Sequence, residues 1–82
     1  MQKLIDADLR VTGLRQVLRA LDQQQLAWAV VALDADAKVK DKVIPALQAA
    51  HIPFETIPTM KELGKICGIS VGAAVAGVLK FA

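Results

Sequence analysis

The sequence has few residues that could cross-link the chain and none of the long apolar runs that would anchor it. It contains one cysteine, so an intrachain disulfide cannot form and a disulfide-stabilised secreted fold is excluded. Tyrosine is absent and aromatic residues make up 4% of the chain, which leaves the core to Val, Leu, Ile and Ala. No apolar run of signal-peptide length occurs near the start, and the longest uncharged stretch, 66–79, is shorter than the roughly 20 residues of a membrane-spanning helix. We therefore expect a cytoplasmic protein with no membrane partner.

The length and charge of the chain limit the number of domains and the conclusions about a partner. A chain of 82 residues has room for one domain, 1–82, and is too short for a multidomain enzyme. Hydrophobic residues make up 55% of the chain, enough for one core, so disorder is not expected. The net charge of +2 is mildly basic and does not by itself identify a nucleic-acid partner.

The hydrophobic pattern changes period several times, which predicts helices alternating with strands. The predicted helices are 2–9, 14–21, 38–50 and a segment from the capping residue Thr59 to the terminating Gly68; the predicted strands are 10–12, 27–33, 54–57 and 73–81. Pro45 predicts a break or kink near 43–44, or a restart with the proline in the first turn. The alternation predicts an α/β fold, a three-layer α-β-α sandwich with a central four-stranded mixed sheet.

Residues 13–19 place polar side chains at the start of a predicted helix. Arg15, Gln16 and Arg19 share an arc of roughly 100°, opposite the apolar stripe that begins at Leu14. Together with the free N–H groups of the first turn, two guanidinium groups and an amide can bind phosphates or base edges. Gly13 would let another backbone come close. A solvated polar face with no ligand is the simpler interpretation of the same spacing.

The segment 63–72 contains glycines at every fourth position, Gly64, Gly68 and Gly72. It lacks the ending of a phosphate-binding P-loop and follows no strand directly. Its loop alternates Ile69 and Val71, whose side chains either grip an unstacked base or point into the core. The sequence leaves both possibilities open.

Catalytic and metal-binding residues are scarce. Cys67 follows a helix among small apolar residues, which predicts a buried side chain instead of a nucleophile. One histidine, His51, and one cysteine make neither a zinc site nor a convincing dyad. Asp34 and Asp36 are too few for a dedicated cation site. We therefore expect no metal, no cofactor and no enzymatic activity.

The order of these segments resembles the ribosomal protein L7Ae/L30e superfamily in its short bacterial form. The resemblance rests on Gly-x-Arg-Gln-x-x-Arg at 13–19, Asp-Ala-Asp at 34–36, Ile-Pro at 52–53 and Leu-Gly-x-x-Cys-Gly-Ile-x-Val-Gly-Ala-Ala at 63–74. It implies an α-β-α sandwich that binds kink-turn RNA, a sharply bent helix with tandem sheared G·A pairs and one flipped-out nucleotide. Many members carry Asn-Glu in place of Arg15-Gln16, so the base contacts are expected to differ.

The resemblance also implies roles for individual residues. Gly13 lets the RNA backbone approach, Arg15 and Gln16 contact the guanines of the G·A pairs, and Arg19 adds a base-edge or phosphate contact. The segment from Ile69 through Ser70 to Val71 covers the flipped-out nucleotide, with the serine at its edge. Two lysines of the downstream helix bind phosphates, namely Lys61 and Lys65. An acidic loop residue touches RNA or orients a basic side chain, namely Asp36.

The leading hypothesis is a monomeric, non-catalytic protein that stabilises kink-turn RNA and associates with the ribosome. Its partner would be structured ribosomal or regulatory RNA. The alternative is a protein–protein interaction module of the same fold, in which 69–71 docks a partner protein and no specific RNA is bound.

Overall fold

The computed structural model describes residues 9–80. Its elements, in chain order, are β1 (Arg10–Thr12), α1 (Leu14–Asp22), β2 (Leu26–Ala32), α2 (Ala37–Ala49), β3 (Phe54–Ile57), α3 (Met60–Ile66) and β4 (Val75–Leu79). Positions 2–8 of the predicted first helix lie outside the described residues, as does Phe81 of the last predicted strand. The other predicted elements are present, with ends that differ by one or two residues.

The strands form one four-stranded mixed sheet in the order β1-β4-β2-β3. β4 lies between β1 and β2 and is antiparallel to both, whereas β2 and β3 are parallel. The predicted mixed sheet is therefore confirmed. Because β4 runs against its neighbours, the residues before β4 lie at the same sheet edge as the residues after β1 and β2.

Helices cover both faces of this sheet, as the continuous apolar run of β2 predicts. Alternate β2 residues face opposite sides: Ala29 and Val31 pack with α1 and α2, while Val30 and Ala32 pack with α3. The fold is thus the expected three-layer α-β-α sandwich. Within residues 9–80, no helix is both long enough and apolar enough to cross a bilayer.

The three helices of the described region end in the same backbone motif. In each, the residue after the C-cap has a positive φ, at Gln24 (59°), His51 (57°) and Gly68 (74°). The N–H of the following residue bonds the carbonyl five positions earlier, as Ile69 does to Gly64 at 3.0 Å. This is a Schellman motif, and glycine, which adopts it without strain, occupies the position only in α3.

Neither the predicted break nor the predicted restart at Pro45 occurs, since α2 runs without interruption from Ala37 to Ala49. Proline cannot donate to the carbonyl of Asp41 four residues earlier, which normally weakens a helix. Pro45 and Asp41 are both exposed, so solvent can replace the missing donor. Burial of Val43 and Leu47 on the opposite side holds the helix together.

Candidate nucleic-acid interface

The candidate residues come from segments that meet at one edge of the sheet. We call the surface formed by 13–19, 33–36, 59–65 and 68–74 the loop edge. The N–H of Gly13 donates to the carbonyl of Val75 at 2.9 Å, which joins the start of α1 to the start of β4. The N–H of Ala32 donates to the carbonyl of Ala74 at 2.8 Å, which joins the end of β2 to the same place. The two glycine-bearing motifs, about 50 residues apart in sequence, are therefore neighbours.

Gly13 is the N-cap of α1, and its backbone explains why a glycine stands there. Its φ of 89° is a conformation that residues with a Cβ rarely adopt. A Cβ at this position would meet no atom within 4 Å, so the space beside it is open. No side chain caps α1, so the N–H groups of its first turn have no side-chain capping partner.

The three predicted site residues of α1 are all exposed, but they do not all line the same groove. Arg15 lines a groove of about 720 Å³ between α1 and α2. Gln16 lines a smaller groove of about 230 Å³ on the other flank of α1. Arg19 lines both grooves and connects them. The helix thus presents its cations on both flanks.

Gln16 also has a structural partner. Its Oε1 accepts a hydrogen bond from the backbone N–H of Thr12 at 3.1 Å. In a capping box the residue at this helix position bonds the N-cap N–H. Here that N–H, on Gly13, already bonds the carbonyl of Val75, and the amide reaches one residue further back.

Two aspartates shape the loop after β2. The Asp36 carboxylate accepts from the N–H of Lys38 at 2.9 Å and caps α2. The Asp34 carboxylate accepts from the N–H of Met60 at 2.7 Å and ties this loop to the start of α3. Sequence reasoning did not find this role of Asp34, because its partner lies 26 residues away.

The loop 68–74 holds the aliphatic candidates in different environments. Val71 is 69% exposed and Ser70 is exposed, whereas Ile69 is half-buried against the core on the α3 side. The side chain of Ile69 therefore lies partly in the core and partly at the surface. The loop is held by a 3.0 Å hydrogen bond from the Ala73 N–H to the Met60 carbonyl.

Sequence reasoning missed a further apolar residue at the loop edge. Leu33 follows β2 directly and is 51% exposed. The signal in the sequence is an aliphatic residue placed between a buried strand and an acidic loop. The continuous apolar run 27–33 concealed it, because every residue of that run reads as buried strand.

Lys61 and Lys65 are exposed and four residues apart on α3, a spacing that puts both on one side of the helix. Along with Arg15 and Arg19 they give the loop edge four cations against three carboxylates, Asp34, Asp36 and Glu62, a small positive excess. Such a surface favours an anionic ligand.

Cys67 lies beneath this surface and is fully buried. Burial raises the pKa of its thiol above the usual 9.0, and the nearby Arg10 guanidinium lowers it by less. The sulfur is therefore a protonated core atom at neutral pH. Within residues 9–80, no three His, Cys, Asp or Glu side chains lie close enough to hold a metal ion.

Known proteins with similar sequences carry names that refer to RNA. An RNA-binding protein of Geobacillus thermodenitrificans is 39% identical over 79 residues, covering 96% of each chain. The RNA-binding protein YbxF of Geobacillus stearothermophilus is 38% identical over the same share of both chains. An RNA-binding protein of Caldanaerobacter subterraneus is 43% identical over 67 residues, 82% of each chain.

The fold also occurs among solved structures. A 15.5 kDa RNA-binding protein of Giardia lamblia superposes with a TM-score of 0.86, covering 96% of this chain and 70% of that one, at 21% identity. A Bacillus halodurans protein of unknown function superposes with a TM-score of 0.82 at 25% identity, covering 94% and 81%. The sequence profile of the ribosomal protein L7Ae/L30e/S12e/Gadd45 family matches residues 2–81. The chain belongs to this family.

Proposed function

We propose that this protein binds RNA through the loop edge and that its target is a kink-turn, which it stabilises without catalysis. The observation that carries the proposal is the hydrogen bond between Gly13 and Val75, because it puts the polar start of α1 beside the loop with the exposed Val71. The RNA-binding names of its relatives support the same function. We further propose that the protein acts as a cytoplasmic monomer on ribosomal or regulatory RNA.

The chemistry of the loop edge matches a distorted RNA better than a regular duplex. An A-form helix hides its base edges in a deep, narrow major groove, so a protein reads sequence where the helix is bent or unpaired. The open space at Gly13 admits an RNA strand to the first turn of α1. Arg15, Gln16 and Arg19 are then within reach of guanine edges and phosphates.

A flipped-out nucleotide needs an apolar surface on which to rest. The exposed side chains of Val71 and Leu33 are the large aliphatic groups that the described residues leave in solvent. A base covering either side chain would remove apolar area from water, at about 25 cal/mol per Å². Ser70 offers a hydroxyl to the edge of that base.

Binding energy of this kind shifts a conformational equilibrium. Free kink-turn RNA exchanges between extended and bent forms, and a ligand that fits only the bent form increases its population. Lys61 and Lys65 would add phosphate contacts that depend on salt but not on sequence.

The decisive test is a binding titration in low magnesium. One RNA contains a kink-turn, and the other is identical except that Watson–Crick pairs replace its G·A pairs. We expect the first RNA to bind roughly a thousandfold more tightly, at the lower end of the range by which proteins separate specific from non-specific sites. Equal affinity for the two RNAs would overturn the proposal.

Two variants, one at Val71 and a control at Lys80, extend the same titration. Val71→Ser removes the aliphatic surface and should weaken binding to the kink-turn RNA. Lys80→Ala changes an exposed residue beyond the opposite end of β4 and should leave the discrimination between the two RNAs unchanged. If Val71→Ser instead abolished capture of a protein partner from nuclease-treated extract, the interaction-module alternative would be favoured.

A further inference from the structure

We propose that Lys40 is a positioning residue, which holds the exposed Leu33 side chain ready for contact with RNA and does not itself bind a phosphate. The proposal rests on the proposed RNA-binding function and gives one residue of α2 a part in it. It starts from a hydrogen bond of 2.8 Å, in which the ammonium group of Lys40 donates to the backbone carbonyl of Leu33. A lysine near an RNA interface would otherwise be taken for a phosphate ligand.

The backbone of Leu33 is held at both of its polar groups. Its N–H donates to the carbonyl of Ile57 at 2.8 Å, which ties it to the end of β3, and its carbonyl accepts from Lys40. The chain then closes a turn, in which the N–H of Ala35 donates to the carbonyl of Ala32 at 3.2 Å. Leu33 is the first central residue of this turn, and its half-exposed side chain is therefore presented from a fixed backbone.

The turn lies where RNA on the loop edge would pass. In the sheet β4 separates β1 from β2, so two strand spacings, about 10 Å, separate the end of β1, where α1 begins, from the end of β2. The N–H of Ala32 donates to the carbonyl of Ala74, which joins the residue before Leu33 to the loop that carries Val71. An RNA strand that crosses from the first turn of α1 over this loop meets Leu33 next.

The surroundings of Lys40 favour a role toward the main chain. Lys40 is half-buried, whereas Lys38 and Lys42 of the same helix are exposed. The helix turn that carries Lys40 is itself fixed, because the carboxylate of Asp36 accepts from the N–H of Lys38. A phosphate reaches the exposed lysines more easily than a half-buried ammonium group that already donates to a carbonyl.

A side chain held in place before binding lowers the cost of association. Ordering a loop at an interface costs free energy, and a contact that is ordered in advance avoids this cost. Without the ammonium group of Lys40, the Leu33 carbonyl would be left to water and the turn would lose one of its attachments. RNA would then have to order the turn on binding, so affinity would fall although no phosphate contact is lost.

The first test replaces Lys40 by methionine, which removes the ammonium group and keeps an unbranched apolar chain. We expect Lys40→Met to bind kink-turn RNA roughly threefold to tenfold more weakly, from the cost of ordering the turn. The slope of log affinity against log salt concentration should equal that of the wild type. Lys42→Met removes a charge from an exposed position of the same helix, and this control should change affinity by less than about twofold.

A double-mutant cycle tests whether Lys40 acts through Leu33. Leu33→Ser should weaken binding roughly tenfold, as expected when half of a leucine side chain loses an apolar contact. In the Leu33→Ser background, Lys40→Met should weaken binding further by less than about twofold, because the side chain that it positions is gone. Lys40→Arg keeps a donor for the Leu33 carbonyl and should stay within about twofold of the wild type. Thermal unfolding of each variant sets a titration temperature at which all are folded.

Four results would overturn the inference and leave kink-turn binding intact. A salt slope that falls by about 1 in Lys40→Met would identify Lys40 as a phosphate ligand. A Lys40→Met penalty that persists undiminished in Leu33→Ser, or Lys40→Arg binding as weakly as Lys40→Met, would show that Lys40 does not act through the turn. Wild-type affinity in Leu33→Ser would leave Leu33 to contact a protein instead of RNA.

The proposed function fails in a different way. If the wild-type protein did not prefer the kink-turn RNA over its Watson–Crick control, the proposed function would be overturned and this inference with it. The wild-type titration therefore comes first, and the variants are compared on the kink-turn RNA that it identifies as the tighter ligand.

Discussion

Asp34 and Met60, 26 residues apart, are joined by a 2.7 Å hydrogen bond from the methionine N–H to the aspartate carboxylate. The bond connects the loop after β2 to the first turn of α3, so two segments of the loop edge depend on one side chain. A carboxylate at a helix N-terminus also interacts favourably with the helix dipole.

We predict that Asp34→Ala lowers the free energy of unfolding by about 1 kcal/mol, because a helix N–H loses its charged acceptor at an exposed position. Asp34→Asn, which retains an acceptor oxygen, should lose about half as much. Chemical denaturation of the three proteins in parallel measures both values. Equal stability of Asp34→Ala and the wild type would contradict the role of this bond.

The second prediction concerns Gly64, which packs against the backbone of the loop that follows α3. A Cβ at Gly64 would meet the carbonyl oxygen of Val71 at a distance that real side chains do not tolerate, and backbone cannot rotate away. We expect Gly64→Ala to cost about 2 kcal/mol of stability even though alanine favours helices.

Gly77→Ala is the matched control for that change. Its Cβ would meet the ends of the Leu26 and Val11 side chains, which can shift. We expect Gly77→Ala to cost less than Gly64→Ala when both are measured by thermal unfolding. The reverse order would show that the close approach of Gly64 to Val71 is not what constrains the loop.

The third prediction concerns the ends of α1 and α2. Gln24 and His51 adopt positive φ values that favour glycine. Gln24→Gly and His51→Gly should each raise the free energy of unfolding by about 0.5–1 kcal/mol, since the left-handed strain disappears. Gly68→Ala, at the equivalent position of α3, should lower it by a similar amount. Urea titrations test all three variants. A loss of stability in both Gln24→Gly and His51→Gly would show that the positive φ at these positions is not strained.

The fourth prediction is a pH dependence at Cys67. Burial raises the pKa of its thiol above 9.0 in the folded protein, so the unfolded chain releases this proton first. The stability that the protonated thiol contributes is complete below pH 9 and is lost as the pH rises through the folded-state pKa. The stability difference between the wild type and Cys67→Ala should therefore narrow as the pH rises above 9, and denaturant titrations at a series of pH values can follow it. A stability difference that does not change with pH would contradict the raised pKa of the buried thiol.

The fifth prediction concerns the salt dependence of RNA binding. If Lys65 contacts a phosphate, Lys65→Ala should weaken binding to the kink-turn RNA and its Watson–Crick control alike. It should also reduce the slope of log affinity against log salt concentration by about 1. Lys80→Ala, beyond the opposite end of β4, should leave the slope unchanged. An unaltered slope in Lys65→Ala would remove this lysine from the interface.

Local signals explain which parts of the fold could be predicted. Hydrophobic periodicity located the elements, and Thr59 and Gly68 marked the ends of α3, because these residue types have specific backbone preferences. The ends of α1 and α2 carry no such signal, since Gln24 and His51 take a positive φ that glycine would normally supply. Pro45 gave a wrong prediction because the core packing of α2 outweighed a local penalty.

Some features of the candidate site could likewise be predicted from the sequence, and others could not. The polar residues of α1 were recognisable from spacing alone, whereas their distribution over two flanks depends on where α2 and β1 pack against that helix. Leu33 was hidden in an apolar run, and the bond from Asp34 to α3 spans too much sequence for any local pattern to reveal. The half-burial of Ile69 likewise follows from the three-dimensional path of its loop.

The connection between Gly13 and Val75 uses backbone atoms only. Replacing Arg15, Arg19 or Val71 therefore leaves the hydrogen bond that sets their spacing untouched. These three positions can be randomised together in a library that keeps this bond, which makes this small chain a starting point for engineering binders of other bent nucleic acids.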